Sequence, residues 1–190
     1  KFGGSTLHGP ESIKRVSRLI ALKSKQARSF VVVSALKGST EALIAISRST
    51  ATEALAQFDA LIERHRLTAR ALLDGARVLA WETDIAPYCA TCRHVLAADT
   101  RRDGDIATLL AVGEKLSAAL LHQVLQLDLQ DSRWLCSEHL IITKGRRLQA
   151  TVDLHASRSA LQALLENPEP LLNDYPEFVQ PIVELRRFEA

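Results

Sequence analysis

The chain has 190 residues, 47% hydrophobic and 24% charged, enough apolar material to bury the core of one domain or slightly more. Its 24 basic and 22 acidic side chains leave a net charge of +2, too balanced for nucleic-acid or membrane binding to follow from the bulk field. No run approaches the roughly 18 apolar residues of a membrane span, no charged-then-apolar leader opens the chain, and the three cysteines have no framework spacing. The expectation is therefore a globular protein of a reducing compartment, the cytoplasm, with neither nucleic acid nor membrane as partner. There is no methionine, so a processed or partial product is expected, whose first turn would follow a β-strand.

The chain opens on Lys1-Phe2-Gly3-Gly4-Ser5-Thr6. Two glycines followed by two hydroxyl residues form a turn whose N–H groups can converge on phosphate oxygens, with the Lys1 charge beside them. An ordinary glycine turn with a surface lysine fits the same six residues. Pro10, Glu11 and Ser12 then read as a helix start, because proline suits the first turn and an early carboxylate suits the dipole. Ile13, Val16, Leu19 and Ile20 follow at helical spacing, and the helix should end near Lys25. Phe30-Val31-Val32-Val33 is a short β-branched run with the character of a buried strand in a parallel sheet. Strand stub, turn, helix and strand make a right-handed βαβ unit, which puts both strand ends on one edge of the sheet.

Ligands bind at that edge in open α/β sheets. The strand runs into Ser34-Ala35-Leu36-Lys37-Gly38-Ser39-Thr40, a second polar turn, so two turns converge on one crevice. From Thr40 to about Leu79 the pattern is helical, with Leu43, Ile44 and Ile46, then Leu55, Phe58, Leu61 and Ile62, then Leu67, Ala71 and Leu72. His65, among Glu63, Arg64 and Arg66, is expected on a solvated face. Cys89-x-x-Cys92 near His94 lacks a second ligand pair and a thioredoxin-like context, so neither metal nor redox chemistry is assigned to it. Asp99 to Asp105 is expected to be an exposed connection with solvated charges. In Leu109 to Leu121, Leu116, Ala119, Leu120 and Val124 fit a buried helix face, with Glu114 and Lys115 placed at the helix start. There Glu114 could be only a capping carboxylate or could project into the crevice toward a cationic group. Ser132 to Cys136 reads as a third strand and Asp153 to Leu165 as a helix with Leu154, Leu161, Leu164 and Leu165 on its apolar face. In the proline-rich tail, Val179 and Ile182-Val183 are candidates for one short strand.

Lys1-Phe2-Gly3-Gly4-Ser5-Thr6, Val31-Val32-Val33-Ser34-Ala35, a helical stretch with Arg64-His65-Arg66, and Val112-Gly113-Glu114-Lys115-Leu116-Ser117 occur in this order. Together they resemble the aspartokinases of the amino acid kinase family, which carry Lys-Phe-Gly-Gly-Thr-Ser, Val-Ser-Ala and Gly-Glu-Arg/Lys-hydrophobic-Ser. The resemblance implies an α/β three-layer sandwich with a mainly parallel central sheet, here incomplete. Residues 1–166 would form the N-terminal lobe of a kinase domain, and 167–190 a tail without assignment. It implies transfer of a phosphoryl group from ATP, with Mg2+ held by the substrate phosphates, to the side-chain carboxylate of L-aspartate, the first step of lysine, threonine and methionine biosynthesis.

By the same resemblance, Lys1 contacts the transferring phosphate, Gly3 and Gly4 let the backbone close on it, and Ser5 and Thr6 lie beside the acceptor. Ser34 and Glu114 would hold the amino acid, with no protein-held metal. Two departures stand out. The hydroxyl pair is Ser-Thr instead of Thr-Ser, and no later stretch carries the family's Thr-Thr-Leu-Gly-Arg-Gly-Gly-Ser-Asp segment. Two readings follow: the amino-acid-binding part of an aspartokinase, in a homo-oligomer or a longer or bifunctional polypeptide, or a truncated relative that binds a small molecule or a partner without catalysis.

Overall fold

A computed structural model describes residues 1–27, 29–98, 100–129, 132–135, 137–145, 150–166 and 182–185. Among these residues the order of elements is α1 (Pro10–Ser24), β1 (Ser29–Val32), α2 (Ser39–Ser47), α3 (Ala51–Arg70), α4 (Gly75–Leu96), α5 (Asp103–Leu125), β2 (Ser132–Leu135), β3 (Thr143–Lys144), β4 (Thr151–Val152), α6 (Leu154–Glu166) and β5 (Ile182–Leu185). A 3-10 turn at Ser137–His139 separates β2 from β3. No helix among the described residues is long and apolar enough to cross a membrane.

Local chemistry sets the helix starts. Ser12 Oγ accepts the N–H groups of His8 and Gly9, both at 3.1 Å, and donates to the Gly9 carbonyl at 2.7 Å, which occupies donors that a helix N-terminus leaves open. Thr50 and Glu53 cap α3 reciprocally, and Asp74 accepts from the Arg77 N–H at the start of α4. Leu109, Leu116, Leu120, Leu121 and Leu125 of α5 are fully buried, and α5 packs against α1, α2, α3, α4 and β2, so it is the axis of the core. Leu19, Ile44 and Leu67, counted among the apolar helix positions, lie instead on outer faces.

The chain is α/β, but the described strands do not pair as the expected mainly parallel sheet. Phe2 bridges Val33 in parallel, through Phe2 N–H to the Val32 carbonyl at 2.9 Å and Ser34 N–H to the Phe2 carbonyl at 3.0 Å. The three-stranded sheet, however, has the order β1-β5-β2, with β5 antiparallel to both neighbours. β1 and β2 thus run the same way without touching. The strand between them comes from the tail, where the sequence carried no motif. Cys136 and Val179 lie outside the described residues, as do the side chains of Leu164 and Leu165.

Two expectations about charge are corrected. His65 is fully buried, its Nδ1 donating to the Leu61 carbonyl at 2.9 Å, and burial pushes its pKa down to about 4, which keeps the ring neutral. Arg101 is not solvated either. Its guanidinium donates to the carbonyls of Ser47 at 3.1 Å, Ser49 at 2.8 Å and Leu96 at 3.0 Å, tying the ends of α2 and α4 together. Arg101→Ala is expected to cost roughly 1.5–3 kcal/mol, as for hydrogen bonds to a charged donor, seen as a lower urea midpoint at unchanged slope. A loss under about 0.5 kcal/mol would return Arg101 to the solvated class.

Candidate functional site

The first turn closes on itself. Thr6 N–H donates to the Gly3 carbonyl at 2.9 Å, and Leu7 N–H lies 3.2 Å from the carbonyls of both Gly3 and Gly4. Leu7 is buried and anchors the turn, whereas Lys1, Ser5 and Thr6 are exposed. The Leu7 carbonyl accepts from the Lys37 N–H at 3.1 Å, so the first turn is stitched to the second. A Cβ on Gly4 would stand 3.1 Å from the Ala35 carbonyl oxygen, which explains glycine there. A Cβ on Gly3 would meet nothing within 4 Å, so the space over that residue is open.

The second turn starts at Ser34, which is half-buried, and ends at Gly38, whose φ of 80° is in the left-handed region that favours glycine. Arg64 Nη2 donates to the buried Ser39 hydroxyl at 2.7 Å and so fastens this turn to α3. The third stretch lies on α5. Ser117 Oγ donates to the Ser34 carbonyl at 2.7 Å, and a Cβ on Gly113 would come within 3.0 Å of the Ala35 Cβ and 3.1 Å of Leu43 Cδ1. Glycine and serine four residues apart form one small-residue stripe, on which the helix can approach the turn closely.

Glu114 lies on this side of α5. The helix begins at Asp103, so Glu114 is well inside it and the capping alternative falls away. Burial is the largest influence on its carboxyl and pushes the pKa above the usual carboxylate range. Its own N–H, the Ala35 N–H and the charge of Lys1 pull the other way. The structure therefore brings the Ser34-Ala35 backbone and Glu114 together at one rim, with Gly4 packed under Ala35 and the Lys1 charge within electrostatic reach of the carboxyl. Gly3 is in the same turn without a packing contact that requires glycine, and Ser5 and Thr6 stand on its exposed side.

Sequence reasoning had not assigned the Ala35 N–H, Ser117, Gly113, Ser39 or Arg64 to the site. A signal was present for two of them, since Gly113 and Ser117 flank Glu114 at helical spacing. The Ala35 donor is a backbone group and leaves no mark in residue type. Cys89 and Cys92 are buried on α4, and burial pushes their thiols up to about 11 and about 12, which makes them poor nucleophiles and ligands at neutral pH.

The family model described as the amino acid kinase family matches residues 1–176. Aspartokinase from Chlamydia muridarum (strain MoPn / Nigg) is 33% identical over 156 residues, 81% of this chain and 33% of that protein. The bifunctional aspartokinase/homoserine dehydrogenase 2, chloroplastic, of Arabidopsis thaliana is 29% identical over 149 residues, 75% of this chain and 16% of that protein. The chain thus spans a third or less of the length of these relatives. Among solved structures, E. coli aspartokinase III in complex with aspartate and ADP (R-state) superposes with a TM-score of 0.73 at 24% identity, over 90% of this chain and 38% of that one. The same enzyme in complex with lysine and aspartate (T-state) gives 0.73 at 21% identity, over 88% and 37%.

The raised pKa of Glu114 carries a stability signature. At pH values between its unfolded and folded pKa, the native state binds the proton more tightly, so its contribution is present below the unfolded value and is lost as pH rises through the folded one. Glu114→Gln keeps an acceptor for Ala35 and removes the half-buried charge. It should raise the thermal midpoint at pH 7 relative to the parent, with the difference closing as pH falls below the ordinary glutamate range. A variant that is less stable at pH 7 would contradict this placement.

Proposed function

Because the chain belongs to the amino acid kinase family, we propose that it forms the amino-acid-binding part of an aspartokinase. The reaction is transfer of the γ-phosphoryl group of ATP to the side-chain carboxylate of L-aspartate, giving 4-phospho-L-aspartate and ADP. The observation that carries this reading is the approach of a half-buried carboxylate, a lysine charge and a backbone N–H at one rim, on Glu114, Lys1 and Ala35. The aspartokinase relatives and the fold shared with an enzyme solved with aspartate and ADP support the choice of substrates. The three-layer sandwich with a mainly parallel sheet belongs to the same proposal, for a polypeptide that includes this chain.

Each group has a defined task. Glu114 faces the α-ammonium group of the amino acid, and the arriving cation offsets the burial that disfavours its ionised form. Ser34, Ser5 and Thr6 offer hydroxyls to the acceptor side. Lys1 stands where negative charge gathers as an oxygen of the aspartate side chain attacks the γ-phosphorus and the bond to the β-phosphate oxygen breaks. The open space over Gly3 fits a phosphate group, and Gly4 keeps the turn tight against Ala35. Mg2+ carried by the nucleotide phosphates would neutralise their charge. Such a transfer asks little covalent chemistry of a protein, so positioning two anions and screening their repulsion suffice.

The experiment follows the acyl phosphate directly by trapping it with hydroxylamine. A polypeptide carrying this chain in its native reading frame should form aspartyl hydroxamate from L-aspartate and Mg·ATP. The 190-residue chain should bind aspartate without turnover, since it has no Thr-Thr-Leu-Gly-Arg-Gly-Gly-Ser-Asp segment. Lys1→Ala should lower kcat of the longer form by about 10²–10³, the usual effect of removing one preorganised electrostatic group. An unchanged rate would take that role from Lys1. Failure of the 190-residue chain to bind aspartate, or of the longer form to make hydroxamate, would contradict the proposal.

A further inference from the structure

On the other flank of α5 sits a charged and aromatic cluster that none of the steps above uses. Lys115 Nζ lies 2.5 Å from Glu138 Oε1, and the two side chains are 12% and 1% exposed. This is a charge contact without aligned hydrogen-bond geometry, and neither Glu138 oxygen has an aligned donor among the described residues. The same ammonium stands 4.4 Å from the centre of the Tyr88 ring of α4, and Tyr88 meets Trp134 of β2 edge to face at 5.8 Å. Glu138 is in the 3-10 turn after β2, so the pair ties α5 to the segment that follows the sheet strand.

We infer that Lys115 and Glu138 are positioning residues for Glu114, fixing the rotation of α5 about its axis and with it the approach of the Glu114 carboxylate to Ala35. The inference rests on the role proposed for Glu114. Consecutive helix residues point about 100° apart, so when Lys115 is held against Tyr88 and Glu138, Glu114 is aimed at the second turn. The aliphatic contacts of Leu116, Ala118, Ala119 and Leu120 resist separation but are non-directional. Among the described residues three directional contacts hold this turn of the helix. Ser117 holds the Ser34 carbonyl, Trp81 Nε1 donates to the Leu116 carbonyl at 3.3 Å, and the ion pair holds the opposite flank. A carboxylate as buried as Glu138 needs the Lys115 cation in place, so the pair has little freedom to slide.

The test uses the 190-residue chain and two variants. Lys115→Met with Glu138→Gln removes both charges together and leaves no lone buried ion. Glu138→Asp keeps both charges but withdraws the carboxylate by one methylene. Thermal melts report the fold, and carbon-13 NMR of the glutamate carboxyls follows the titration of Glu114, whose signal is identified by its loss in Glu114→Gln. This readout needs no substrate. Each folded variant should show the Glu114 midpoint moved toward the ordinary glutamate value, and its dissociation constant for L-aspartate should rise about tenfold. A titration identical to the parent's in a folded variant overturns the inference, and so does loss of the fold in both, which would make the pair a folding requirement. Failure of the parent chain to bind aspartate counts against the proposed function alone, because the titration is read without it.

Discussion

The structure depends on the seating of α5 against the turn that follows β1. Ser117 holds the Ser34 carbonyl at 2.7 Å, Gly113 admits Ala35 to a distance that a side chain would forbid, and the Ala35 N–H meets the Glu114 carboxylate. A helix that is buried along most of its length is thereby docked, through polar contacts, onto the turn after β1. The first turn joins this contact through Gly4 beneath Ala35 and through the bond from Lys37 to Leu7. Three stretches distant in sequence become one rim because each is tied to the Ser34–Lys37 backbone.

That arrangement has an electrostatic consequence. A carboxylate partly taken out of water raises its own pKa unless cations or donors answer it, and here an exposed lysine and two N–H groups answer it only in part. The site is left with an unmet demand for positive charge, which under the proposed function the ammonium group of the amino acid would satisfy. Its remaining groups suit anions: an exposed lysine, hydroxyls and an open glycine turn. A ligand that is cationic at one end and anionic at the other fits both halves.

Much of this was legible in the residues, and the exceptions have physical causes. Pro10 with Ser12 marked the start of α1, the valine run marked β1, and the Gly-Glu-Lys-Leu-Ser stretch marked the helix that matters. The start of that helix was missed because Asp103 and Asp105 look like loop charges. In fact Asp105 accepts the Arg102 N–H at 2.8 Å, the reach of a first-turn carboxylate back to a helix cap. Arg101 and His65 were misplaced for a related reason, since residue type does not reveal that carbonyls wait at the ends of two other helices or within the same one. The pairing of β5 was the least legible feature. Antiparallel and parallel strands share their side-chain alternation, and only the three-dimensional path of the tail decides which neighbour a strand finds.

The most direct test of the rim is a titration of the isotopically labelled chain with L-aspartate, followed through its backbone amide signals. Shifts that saturate and concentrate at Gly3 to Leu7, Ser34 to Ser39 and Gly113 to Ser117 are the expected result. No saturable shift, or shifts gathered on the outer faces of α3 and α6, would contradict the claim that these three stretches form one amino-acid site.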